Sequence, residues 1–130
     1  MHLMAKRWLA MLLPAAVGAC AMPPADLDRH LVYFEEFSAK LSVEARHVIA
    51  ESAQQVRQAG AKGIRIEARA SATGTPGTNL NLAETRASIV ADELQADGVP
   101  GQMIRKVPIG QTGSGDPGIT DRRVDIVLER

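Results

Sequence analysis

Hydrophobic and polar positions change rhythm several times along this chain. Ile64, Ile66, Ala68 and Ala70 alternate with Arg65, Glu67, Arg69 and Ser71, the period of two required by a strand with one buried face. Upstream, Ala45, Val48, Ile49, Ser52, Ala53 and Val56 recur at helical spacing along one stripe, with Ser42 placed to cap the helix and Gly60 to end it. Residues 31–34 form a short apolar run that predicts a first strand. After the turn-rich stretch 73–78, Leu82, Ile89, Val90 and Leu94 line one side of a second helix. That helix is expected to start near Asn81, with Glu84 reaching back three residues to complete a capping box, and to end at Gly98. Residues 103–109 predict a third strand, in which Pro108 marks a sheet edge. The glycine-rich segment 110–118 predicts a loop, and Val124, Ile126 and Leu128 a last strand. The order β-α-β-α-β-β predicts an α+β two-layer sandwich: a mixed sheet with two helices packed on one face, and the first two strands parallel through a βαβ crossover.

Composition narrows the function. With 15 Lys+Arg against 15 Asp+Glu there is no basic excess, so a nucleic-acid binder is not expected. Hydrophobic content of 45% is too high for a disordered chain, and the patterned length suits one small domain. A single cysteine excludes an internal disulfide framework and any multi-cysteine zinc site, and His2, His30 and His47 lack metal-ligand spacing. The run from Gly110 through Gly113 to Gly115 lacks the Lys-Ser/Thr ending of a phosphate-binding loop, and Ser114 has no strand-turn-helix around it to make it a nucleophile. His30 is expected in the linker before the first strand, and His47 on the solvated face of the first helix among Glu44, Arg46 and Glu51. Neither an enzyme nor a cofactor or metal site is expected.

The first twenty residues differ from the rest. Lys6 and Arg7 precede fifteen residues without a charge, from Trp8 to Met22, interrupted by Pro14. A membrane-spanning helix needs roughly 18 or more apolar residues, so the run reads as an export signal. It ends in Val17-Gly18-Ala19-Cys20, which resembles the lipobox of bacterial lipoproteins, with Cys20 the lipidated first residue of the mature chain. Ordinary cleavage after Ala19 is the alternative, but it leaves an exported protein with an unexplained lone thiol. The expected division is a signal at 1–19, a tether at 20–30 and a domain at 31–130. Acyl chains on Cys20, palmitate among them, then hold the domain within about 35 Å of a bilayer.

Three segments resemble the OmpA C-terminal-like, peptidoglycan-binding domain. Val32-Tyr33-Phe34-Glu35-Glu36-Phe37-Ser38-Ala39-Lys40-Leu41 is similar to its opening strand and loop. Asn79-x-x-Leu82-Ala83-Glu84-x-Arg86-Ala87 departs from the family's Asn-x-x-Leu-Ser-x-x-Arg-Ala only at the Ser, and Asp121-Arg122-Arg123-Val124 departs from Asn-Arg-Arg-Val only at its first residue. The resemblance implies non-covalent binding of the diaminopimelate residue of peptidoglycan stem peptides. In the family an Asp takes the ligand ammonium and the helix Arg its carboxylate. Arg86 fills the Arg position, where a planar guanidinium suits a carboxylate. Its alternative is a surface ion pair with Glu84 or Asp121.

Ser71 stands where the Asp belongs, and Arg69, replacing a His, is expected to add unfavourable positive charge. Losing a charged hydrogen bond worth about 1.5–3 kcal/mol implies binding roughly ten- to a hundredfold weaker. Glu35 or Asp121 are the candidate replacement anions; Asn79 is a further ligand candidate, with ordering of the loop the favoured role. Tyr33 and Phe34 are expected in the core, with the backbone beside Phe34 lining the site. Arg122 is a further ligand candidate, with a structural role its alternative. The resemblance thus implies a lipid-anchored outer-membrane protein facing the periplasm and bound to peptidoglycan, with other envelope proteins as further partners. The alternative is an OmpA-like periplasmic adaptor that has lost wall binding.

Overall fold

The computed structural model describes residues 28–70, 74–111 and 121–130. The expected leader, most of the tether, Ser71 and most of the glycine-rich loop lie outside the described residues.

Among the described residues, four strands and two long helices follow in the order β1 (Arg29–Tyr33), α1 (Val43–Ala59), β2 (Gly63–Ala70), α2 (Pro76–Ala96), β3 (Ile104–Gln111) and β4 (Arg123–Glu129), with a 3-10 turn, Gly101–Met103, before β3. The sheet order is β1-β4-β2-β3. β4 runs antiparallel to both β1 and β2, so those two strands are parallel to each other, as expected, but β4 lies between them. The adjacent parallel pair is β2 with β3, joined through α2. β3 is an edge strand, the position in a sheet where a proline such as Pro108 is tolerated.

α1 is built as its sequence predicts. The Ser42 hydroxyl accepts from Ala45 N–H at 3.0 Å, and Gly60 ends the helix in the left-handed region at φ 63°. The start of α2 corrects the expectation. It begins at Pro76, five residues before Asn81, with Thr75 as its cap accepting from Thr78 N–H at 3.2 Å. A proline in the first helical turn gives up only an N–H that has no helical partner there, so Thr-Pro-Gly-Thr starts a helix instead of making a turn. His30 is likewise within β1 and not in a linker, and Gly110 within β3.

The core lies between the helices and one sheet face. Ile49, Ile64, Ile66, Leu94, Ile126, Val32, Val90 and Val124 are its fully buried aliphatics, and Ala83, Ala87 and Ala91 let α2 lie close against the strands. The β2–β3 ladder shifts register after Ala68: Ala68 pairs with Pro108 but Arg69 with Gly110, leaving Ile109 bulged out. Gly110 takes φ 71°, and a Cβ there would sit 3.3 Å from the Leu80 Cα.

The opposite sheet face is a lattice of charge. The carboxylate of Asp125 is fully buried and meets Arg29, Arg69 (3.1 Å) and Arg123 (2.9 Å); the last two contacts are ion pairs without hydrogen-bond geometry. Arg65 donates to Glu67 at 2.8 Å and to Glu129 at 3.1 Å. Arg69 therefore does not add free positive charge to a ligand site, as its sequence position had implied. Alternation sends its side chain to the face away from the helices, where Asp125 and Glu67 compensate it.

Candidate functional site

Between β1 and α1 the chain makes a tight excursion fastened from within by Arg86. The arginine enters from the inner face of α2 and is fully buried. Its Nε donates to Ser38 O at 2.8 Å, Nη1 to Arg69 O at 2.9 Å and Nη2 to Glu35 O at 3.1 Å. Its guanidinium carbon lies 5.0 Å from the centroid of the Phe34 ring, a cation–π contact. One side chain thus ties α2, the end of β2 and the loop after β1 together. Burial, with the positive field of Arg122 second, pushes its pKa down to about 10, so it stays protonated at neutral pH.

Beside this clamp lies a cleft of about 280 Å³ whose walls include Tyr33, Phe34, Glu35, Lys40, Glu44 and Arg122. Two cations and two carboxylates border it. Arg122 is half-buried, and its Nε is buried without a hydrogen-bond partner among the described residues. Its carbonyl accepts from Phe34 N–H at 2.8 Å, fastening the end of β1 to the start of β4. Ser42 also lines the cleft, although its hydroxyl is used in capping α1. Two other hollows are present: one of about 390 Å³ between the helices, crossed by the Arg46–Glu93 pair, and one of about 340 Å³ between α2 and β3.

The residues singled out from sequence sort into three groups. Phe34, Glu35 and Arg122 meet in the cleft. Arg86 lies beneath it and donates to main-chain carbonyls; its guanidinium is not presented to the cleft. Asn79, in the first turn of α2, and Asp121 are buried and engaged within the fold. Burial of Asp121 leaves it poorly placed to supply the missing anion, whereas Glu35 is exposed at the cleft. Tyr33, expected in the core, is 42% exposed and lines the cleft, because alternation in β1 turns it opposite to Val32. Lys40 lies within the opening segment that resembles the family but was given no site role, and Glu44 carried no motif signal. For Glu44, only proximity to Ser42, the helix cap, linked it to this end of the molecule.

A mixed four-stranded sheet with two helices on one face, the second helix clamping the loop after the first strand, defines an α+β sandwich of OmpA-like type. The chain belongs to the OmpA family, whose family model matches residues 33–123. Over 80 residues it is 31% identical to the peptidoglycan-associated lipoprotein of Rhizobium meliloti (strain 1021), a match covering 62% of this chain and 46% of that protein. The chain thus matches under half the length of this curated relative. Among solved structures, the peptidoglycan-associated lipoprotein of Burkholderia pseudomallei superposes with a TM-score of 0.70 at 24% identity, covering 82% of this chain and 96% of that one. The OmpA-like domain of FopA1 from Francisella tularensis subsp. tularensis SCHU S4 does so with 0.71 at 21% identity, covering 77% and 70%. At these identities the structural likeness speaks for the fold.

Proposed function

We propose that this protein binds peptidoglycan without covalent attachment, taking the zwitterionic diaminopimelate end of a stem peptide into the cleft beside Phe34. The observation that carries the reading is the juxtaposition there of Arg122 and Lys40 with Glu35 and Glu44, cations for a carboxylate and carboxylates for an ammonium, in a chain of the OmpA family. Arg122 is the guanidinium that meets the ligand. Arg86 shapes the loop from below and acts as a positioning residue. Glu35 or Glu44 stands in for the acid absent at Ser71, and binding is weak. Cys20, acylated after removal of residues 1–19, anchors the domain to the outer membrane on its periplasmic side, so that the protein links membrane and wall. The kinship with a peptidoglycan-associated lipoprotein supports this arrangement.

Co-sedimentation of residues 21–130 with purified sacculi tests it. Arg122→Ala should lower the bound fraction by about tenfold in affinity and Ser71→Asp should raise affinity by roughly ten- to a hundredfold. Sealing of Arg86 away from the cleft favours a second reading, an adaptor that has lost wall binding. In that case wild type, Arg122→Ala and Ser71→Asp all remain in the supernatant alike.

A further inference from the structure

We propose that Phe37 is a contact for a sugar ring of the glycan strand, outside the cleft that takes the peptide; the inference rests on the wall-binding reading above. Phe37 is the one non-glycine among the described residues with a left-handed backbone, φ 56°, and the residue is 65% exposed. Bulky side chains rarely occupy that region, and backbone strain retained at one position points toward function. Here the surroundings enforce it. Ser38 N–H donates to Glu35 O at 3.1 Å across the turn, and Arg86 grips the carbonyls of Glu35 and Ser38, one on each side of Phe37. The Ser38 hydroxyl accepts from Lys40 N–H at 3.0 Å and stiffens the exit from the turn. Glycine or asparagine suits this conformation better than phenylalanine, and most of the residue is left in solvent.

Position and neighbours identify the occupant. Glu35 and Lys40, two residues before Phe37 and three after it, both line the cleft, so Phe37 sits on the loop that borders it. Glu35 and Glu36 are exposed carboxylates next to it, which disfavours a hydrocarbon or lipid surface, where they would lose hydration. A pyranose presents a C–H face to an aromatic ring and hydroxyls at its margin, where carboxylates accept hydrogen bonds. The polymer whose peptide enters the cleft carries such rings beside the peptide.

Titration calorimetry of residues 21–130 with two ligands separates the possibilities: the disaccharide-peptide repeat of peptidoglycan, and the same diaminopimelate-containing peptide without sugars. Phe37→Gly should weaken the disaccharide-peptide by about three- to tenfold, leave the free peptide unchanged, and raise the melting temperature by about 2–6 °C. Phe37→Asn should repeat the pattern, and Phe37→Tyr should keep the sugar preference. A wild-type protein that binds neither ligand overturns wall binding and this inference with it. A wild type that binds both, with Phe37→Gly lowering the two equally or not at all, overturns the sugar contact alone.

Discussion

Replacing Arg86 by methionine separates a clamp from a ligand contact. Methionine keeps much of the length and apolar stem but removes the charge and all three donated bonds. Two opposing quantities set the outcome. Keeping a guanidinium in this site depresses its pKa from the ordinary arginine value to about 10, a cost of about 3 kcal/mol for the charged form that the substitution relieves. Against that stand three hydrogen bonds from a charged donor to the carbonyls of Glu35, Ser38 and Arg69, at about 1.5–3 kcal/mol each. Water reaches the exposed Glu35 segment and recovers part of the loss. The net expectation is a destabilisation of about 2–4 kcal/mol, read in urea as a midpoint lower by about 1–3 M with an unchanged slope. Arg86→Lys should fall in the same range, since one ammonium on a flexible stem does not span three carbonyls. An Arg86→Met protein within about 0.5 kcal/mol of wild type, yet unable to bind sacculi, would refute the reasoning and return this arginine to direct ligand contact.

Three further outcomes follow from other parts of the molecule. Burial works to raise the pKa of Glu67, but hydrogen bonds from Arg65 and Arg29 outweigh it and hold the carboxyl below its ordinary 4.5. A depressed acid stabilises the fold above its unfolded pKa and loses that contribution as pH falls through the folded value, so stability should decline below about pH 4.5 in urea titrations, and Glu67→Gln should flatten that decline. Gly110→Ala meets both the positive φ and the Leu80 backbone at 3.3 Å, and should cost about 1–2 kcal/mol in thermal unfolding. Cys20→Ser should release the full-length protein from the membrane fraction and abolish palmitate labelling; an unchanged membrane fraction would show that acylation is not the anchor.

The parts of this fold legible in the sequence are those whose causes are local. The α1 stripe, its Ser42 cap and its Gly60 stop lie within one short segment, and the alternation of β2 needs no partner to be read. The start of α2 was misplaced because proline and glycine signal a turn when taken alone; their position just after Thr75 makes the same residues a helix entry. The place of β4 between β1 and β2 is set by pairings distant in the sequence, such as Leu31 with Asp125, 94 positions apart, and Ile66 with Ile126, 60 apart, which no local pattern states. A motif also located Arg86, but residue identity carries no information on where five N–H donors point. Only the approach of the loop carbonyls shows that the guanidinium is spent on the backbone.

That expenditure changes what the cleft should prefer. In a site with one acid and one arginine, both in contact with ligand, the two ends of a zwitterion contribute comparably. Here the positive field comes from Arg122, Lys40 and the buried Arg86 beneath, close enough for Arg122 to lower the Arg86 pKa. The negative side rests on Glu35 and Glu44, both exposed and therefore screened by water and salt. The carboxylate end of the ligand should then carry most of the binding. Amidating the terminal carboxylate of a diaminopimelate peptide should cost about tenfold or more in affinity, while acetylating its side-chain amine should cost no more than about threefold. Competition against fluorescent peptide measures both, and the reverse order would show that an acid at the cleft dominates recognition after all.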